Sequence, residues 1–205
     1  MKLYGAVNKR SFNTLKIRVA LAEAATDYDY VPVDLSKGEA RTPAFLALNP
    51  HGKIPVLVDG DFALAESDAI LWYVGEKFPE ARLLPAAVEA RARVLQWCVF
   101  ASSSFYAAYI EWWTLGHGTE PDQRVPAIAD AAVARIDRAV GVLQAVLADR
   151  EHLAGPFSLG DISNAAVLQS LRKRLPDDPL APYDRVRAWY DRVTARPAWI
   201  RANND

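Results

Sequence analysis

The chain has 205 residues, 51% of them apolar, and 24 Lys and Arg against 25 Asp and Glu leave a net charge of −1. That balance belongs to an ordinary globular protein with enough chain for one large or two small domains, and it offers no electrostatic reason to expect a nucleic-acid or membrane partner. A single cysteine, Cys98, excludes a dithiol redox motif and suits a reducing compartment, and MKLYGAVNKR has no signal-peptide layout, so a cytoplasmic location is expected.

The first eighty residues alternate in type. KLYGAV reads as a strand. FNTLKIRVALAEA reads as a helix covered on two sides, because Phe12, Leu15, Val19 and Ala22 share one face while Ile17 and Leu21 lie on another. YDYVPVDL is a second strand, with Tyr28, Tyr30 and Pro32 alternating with Asp29, Val31 and Val33. TPAFLALN is a short helical turn with Pro43 at a helix-starting position. IPVLVD and FALA are two strands turned back at Gly60, and SDAILWYVGEKF is a helix that Pro79 stops. The order βαβ, then ββα, implies parallel pairing through a right-handed crossover and a closing antiparallel hairpin, which is a thioredoxin-like α/β domain.

From residue 86 onward the periodicity is helical, and an all-α helical bundle is expected. VLQWCVFASSSFYAAYI, residues 94–110, carries no charge, yet Gln96 and consecutive serines mark a buried central helix rather than a membrane span. Ile128, Ala132, Ile136, Val140, Leu143 and Leu147 form one apolar stripe on a long helix that Gly155 and Pro156 terminate. In FSLGDISNAAVLQSL, Ser158 is a helix cap and Asp161 closes a capping box, with Phe157 and Ile162 placed as a hydrophobic staple. VRAWYDRV and PAWIRA are the last helices. The expected division is a thioredoxin-like domain over 1–78, a linker over 79–85 and a helical domain over 86–205.

Several chemistries find no support. His51, His117 and His152 are scattered without metal-ligand spacing, so no metal is expected. GxSxG and phosphate-cradling glycine loops are absent. Cys98 reads as a small buried hydrophobe.

The informative stretches are DLSKGEARTPAFLALNP, NPHGKIPVLVDG, ESDAI and SLGD, in that order and spacing. With a thioredoxin-like half followed by a helical half, the chain resembles the cytosolic glutathione transferase superfamily over essentially its whole length. Within it, the chain is similar to bacterial, phi- and theta-like members that use serine. The resemblance implies a detoxifying homodimeric enzyme that takes glutathione as co-substrate, needs no cofactor, and conjugates its thiolate to small hydrophobic electrophiles or reduces peroxides. The alternative is a non-catalytic binding or assembly module, since fold alone does not settle function.

The resemblance also assigns residues. Pro55 follows a cis peptide bond whose bend leaves the N–H and C=O of Ile54 at an open strand edge, where the cysteinyl part of glutathione pairs as an added strand. Ser67, at a helix N-terminus, holds the γ-glutamyl carboxylate, and Glu66 or Asp68 holds the ammonium; without the KIP motif these residues are plain helix-capping chemistry. Arg41 and Lys53, with His51 nearby, serve the glycyl carboxylate; Ala40 stands where many relatives carry a base. Phe105, Tyr109 and Trp112, with Trp113 alongside, recur on one helical face as an electrophile pocket or as core. Asp161 is a structural cap.

The thiol needs activation. At a pKa of about 8.5 only about 3% is ionised at neutral pH, and a two-unit drop requires about 2.7 kcal/mol of differential stabilisation. A hydrogen bond to the thiolate supplies about 1.5–3 kcal/mol and a helix N-terminus about 0.3–1 kcal/mol. Ser11 matches the family position of the donor hydroxyl, although Phe12 replaces the common following proline. Asn13 or Thr14 is the alternative, and Lys9 and Arg10 add positive potential. Tyr4 belongs to the first strand and is read as core or interface.

Overall fold

The computed structural model of the chain describes residues 1–9, 11–117 and 120–204, without the side chains of residues 116, 117 and 121. Arg10 and the side chain of His117 thus lie outside the described residues. Strands β1 (Lys2–Ala6), β2 (Asp29–Val33), β3 (Val56–Asp59) and β4 (Phe62–Ala65) form one sheet in the order β2-β1-β3-β4. β1 and β2 are parallel, with α1 (Phe12–Glu23) as the crossover, while β3 is antiparallel to both β1 and β4. Gly60, at φ +61°, makes the β3–β4 turn. α2 (Pro43–Leu48) starts at Thr42, whose Oγ1 accepts from the Phe45 N–H, and α3 (Ser67–Lys77) follows β4 directly. The expected thioredoxin-like arrangement is present.

Register decides what lies together. Tyr4 pairs with Val56 and Val56 with Ala65, while Ala6 pairs with Val33. The C-terminal ends of β1, β2 and β4 and the N-terminal end of β3 therefore share one end of the sheet. Everything assigned above to glutathione issues from that end. One expectation needs correction: β3 is interior, flanked by β1 and β4, so the Ile54 main chain lies just ahead of the first ladder pairs at Val56 and not along an open sheet edge.

The chain divides into two compact units, residues 1–85 with 195–205, and residues 86–194. The expected helical domain ran to the end of the chain; instead α9 (Pro197–Asn204) belongs with the thioredoxin-like unit, packed on α1. Its apolar stripe is short, Ala198, Trp199 and Ala202, and it is buried there. The Arg196 guanidinium grips the Glu23 carboxylate in a bidentate pair at 2.6 and 2.9 Å, and Arg201 Nη2 donates to the Ala22 carbonyl at 2.9 Å, closing the end of α1.

In the second unit, α4 (Val88–Phe100), a π-helical turn (Ala101–Tyr106), α5 (Ala107–Glu111) and a second π-helical turn (Trp112–His117) follow without a break. Ser102 Oγ and Thr114 Oγ1 donate to the carbonyls of Cys98 and Ile110, four residues back, competing for acceptors of the regular ladder. This segment is half-buried rather than the buried central helix expected: Trp97, Cys98 and Phe105 face inward, but Leu95 and Val99 are 44% and 51% exposed. None of the described helices is long and apolar enough to cross a membrane. α6 (Pro126–Val146) buries Ala132, Ile136, Val140 and Leu143 as its stripe predicts, with Ile128 at its start exposed.

α7 (Leu159–Arg174) is the buried axis of this unit and α8 (Asp184–Thr194) packs on it. The capping box of Ser158 and Asp161 is formed. The wholly buried Asp161 carboxylate also accepts from the Leu153 N–H at 3.0 Å and the Trp189 indole N–H at 2.8 Å, so one side chain ties the preceding loop, α7 and α8. Asn164 Nδ2 donates to the Trp97 carbonyl at 2.9 Å, and a Cβ on Gly160 would lie 2.9 Å from Trp97 Cβ, so α4 and α7 approach closely. Replacing Asp161 by Ala strands several buried donors, each worth about 1–3 kcal/mol. Asp161→Ala is expected to lose about 3 kcal/mol or more in urea unfolding, and Asp161→Asn less.

Candidate active site

The loop after β1 delivers Ser11 to the N-terminus of α1. Ser11 is extended, at φ −74° and ψ 117°, and its Oγ accepts from the Thr14 N–H at 3.3 Å. A helix cap of this kind uses an oxygen lone pair and leaves the hydroxyl proton to be donated outward. No acidic residue in the first turn of α1 opposes the positive end of the helix dipole.

The N-terminus of α3 lies against this one. Ser67 Oγ donates to Asn13 Oδ1 at 3.2 Å, and Lys16 Nζ meets Asp68 Oδ1 at 2.5 Å with the lysine only 3% exposed. Glu66, the residue before α3, has φ +66° and makes no side-chain capping bond. A left-handed φ at a glutamate is a local strain of about 1–3 kcal/mol, of the kind concentrated at ligand-clamping positions. The Glu66 side chain is exposed, at the end of the ladder pair Val56–Ala65.

Opposite Glu66, the chain enters β3 through a tied loop. Asn49, 5% exposed, donates from Nδ2 to the Lys53 carbonyl at 2.7 Å and accepts the His51 N–H on Oδ1 at 3.1 Å. Gly52 turns at φ +61°, where a Cβ would stand 2.7 Å from Arg41 Nη1 and 2.8 Å from the Ala40 carbonyl. Arg41 Nη1 donates to the His51 carbonyl at 3.2 Å. The Ile54–Pro55 peptide bond is cis, with Pro55 buried and Ile54 half-buried.

This geometry has known counterparts. Residues 1–76 match the family described as glutathione S-transferase, N-terminal domain, and residues 126–192 match glutathione S-transferase, C-terminal domain. Glutathione S-transferase 3 of Zea mays is 36% identical, over 97% of this chain and 91% of the Zea mays protein. This chain is a glutathione S-transferase family member. The crystal structure of glutathione transferase F7 from Populus trichocarpa superposes with a TM-score of 0.87 at 31% identity, over 99% of this chain and 97% of that one. The transferase URE2P6 of Phanerochaete chrysosporium, solved with oxidised glutathione, superposes at 0.89 and 27% identity, over 99% and 94%.

Among the assigned residues of this glutathione S-transferase, Ser11, Asn13, Glu66 and Ser67 cluster at the two helix N-termini. Arg41, Lys53, Ile54 and Pro55 come from segments that leave the same end of the sheet. Thr14 is removed as a thiol donor, because it is wholly buried and its Cγ2 faces Gly5 at 2.6 Å from where a Cβ would sit. Asp68 is committed to Lys16, which leaves Glu66 as the exposed carboxylate. Phe105 and Trp112 are buried to 0% and 2% exposure and Tyr109 to 8%, Trp112 borders a cavity of about 330 Å³ together with Val133 and Ile136, and Trp113 is 42% exposed. Burial pushes the Tyr109 phenol above its ordinary pKa. Tyr4 is half-buried, edge-on to Phe45.

Two supporting residues went unassigned in the sequence. Asn49 stands in the quoted motif but signals nothing until its amide is seen bridging the loop. Lys16 had a signal: a lysine between Leu15 and Ile17, inside a helix covered on two sides, needs a buried counter-charge. Asn49→Ala removes two bonds from a buried site and is expected to cost about 2 kcal/mol in chemical unfolding. Amide exchange at His51 should accelerate well before the sheet amides respond.

Proposed function

We propose that this protein conjugates the thiolate of glutathione to small hydrophobic electrophiles, with detoxification as its cellular role. The observation that carries this reading is the convergence, at one end of the sheet, of a serine-capped helix N-terminus, a second helix N-terminus and a cis-proline segment. Each matches one group of the tripeptide. Main chain at Ile54 pairs with the cysteinyl unit, Ser67 and the N–H groups of α3 hold the γ-glutamyl carboxylate, and Glu66 takes the ammonium. Exposed Arg41 and Lys53 serve the glycyl carboxylate.

Binding in this pose sets the sulfur near the start of α1. The Ser11 hydroxyl donates to it, the helix dipole adds to that stabilisation, and the thiol proton passes to solvent. The sulfur lone pair then forms a C–S bond as the electrophile's bond to its leaving group breaks, the leaving group departing with the electron pair. Asn13 acts through Ser67, whose hydroxyl it holds, which favours Ser11 as the thiol donor. The clustering of Ser11, Asn13 and Ser67 at two helix N-termini supports this reading over a non-catalytic module.

A homodimer in a reducing compartment completes the reading. Val88, Leu95 and Val99 are 75%, 44% and 51% exposed along one face of α4, an apolar strip suited to a second copy. Ser11→Ala tests the mechanism: the thiol pKa of bound glutathione should rise by about one to two units, and kcat/KM should fall about 10- to 100-fold. Thiolate ultraviolet absorbance of the binary complex and a chlorodinitrobenzene assay read the two effects. An unchanged thiol pKa in Ser11→Ala together with a raised one in Asn13→Ala would transfer the role to Asn13.

A further inference from the structure

Within the first unit, the C-terminal half of α1, the start of β2 and α9 enclose a cavity of about 440 Å³. That volume is in the range of small-molecule sites. Of the residues given a part in glutathione chemistry above, Lys9 alone borders it. Three cationic side chains do, Lys9, Arg18 and Arg201, against a single carboxylate, Asp27, and the phenols of Tyr28 and Tyr30 complete the polar lining.

Arg18 is the informative member. It borders the cavity although it is only 2% exposed. Its Nε donates to the Tyr28 hydroxyl at 3.4 Å, and its guanidinium carbon lies 5.7 Å from the centre of the Tyr30 ring. Among the described residues, Nη2 finds no hydrogen-bond partner and no carboxylate forms an ion pair with this guanidinium. A buried lysine can escape an unfavourable site by losing its proton; arginine cannot, so its charge and its unused donors persist.

The surroundings do not cancel that charge. Lys9 Nζ stands 5.2 Å over the Tyr30 ring. Arg201 satisfies the Ala22 carbonyl, which removes an acceptor at the end of α1 while keeping a cation at the rim. Burial pushes the Tyr30 phenol up to about 12, so it stays neutral, and its hydroxyl is spent on the Ala6 carbonyl at 2.7 Å. A buried donor with no acceptor, two further cations and two aromatic rings around one cavity together select a ligand that is anionic at one end and flat and apolar at the other.

We propose that this cavity binds a small aromatic oxyanion, an aryl phosphate or aryl carboxylate, whose charged oxygens pair with Arg18 between Lys9 and Arg201 while its ring lies against Tyr28 and Tyr30. Apart from Lys9, the site shares no residue with those assigned to glutathione, and its occupancy is measured without turnover. The full chain, labelled with nitrogen-15, is titrated with phenyl phosphate, benzoate, inorganic phosphate and phenol while the arginine Nε–H signals are followed. Saturable shifts of the Arg18 signal with phenyl phosphate or benzoate are expected, none with phenol, and the tighter of the two aryl probes identifies the head group. Arg201→Gln, a change at an exposed rim residue, should raise the dissociation constant about five-fold. Arg18→Met should abolish saturation, followed by calorimetry; should that variant not fold, Arg201→Gln and Lys9→Gln carry the test. No saturation below about 10 mM with either aryl probe would overturn the site, leaving Arg18 solvated by ordered water only. Equal affinity for inorganic phosphate and phenyl phosphate would overturn the role given to the rings.

Discussion

The Lys16–Asp68 ion pair holds the arrangement on which the active end of this transferase depends. It joins the second turn of α1 to the first turn of α3, next to the Asn13–Ser67 hydrogen bond, with the ammonium almost wholly buried. A buried pair adds little net stability over a well-packed apolar alternative, but breaking one costs about 3–5 kcal/mol because the remaining charge has no partner. Its effect is therefore positional: α3 cannot slide or turn relative to α1 without exposing an unpaired charge. Two helix N-termini, each with a serine and a partial positive charge, stay aimed at the same region.

That rigidity also sorts polar groups by whether they are already used. Asp68 spends its carboxylate on Lys16, whereas Glu66, forced into a left-handed φ at the end of β4, projects into solvent. Ser11 spends an oxygen lone pair on its own helix and retains a proton to give. Thr14 is buried beneath the turn. On the far side of the ladder, the Asn49 amide performs the corresponding task for the segment before β3, where Gly52 allows Arg41 to close over the loop. The polar groups left with capacity are those that the proposed binding of the tripeptide uses.

The second unit follows another logic. Asp161 gathers amide, hydroxyl and indole donors at the start of α7, a charge placed for folding rather than chemistry. The two π-helical turns, at Ala101–Tyr106 and Trp112–His117, arise where hydroxyl side chains compete for helix carbonyls, and each turns the aromatic residues that follow relative to a regular helix. Phe105 and Trp112, four and three residues from Tyr109, are accordingly buried.

Local sequence determined the elements and their type: apolar periodicity, Pro43, Gly60 and Pro79 mark their limits, and Ser158 with Asp161 states its capping box outright, because these effects act within a few residues. The motif around Pro55 and the pair Glu66–Ser67 were singled out by the family resemblance; by local chemistry alone the pair reads as a helix cap. Only the tertiary structure placed β3 in the interior of the sheet, sent α9 back to α1, committed Asp68 to Lys16 and left Arg18 beside a cavity with donors unused. Those outcomes depend on which residues meet across distances such as the 52 positions between Lys16 and Asp68. A buried charge is recognisable in one dimension, but its partner, or the lack of one, is decided by packing in three.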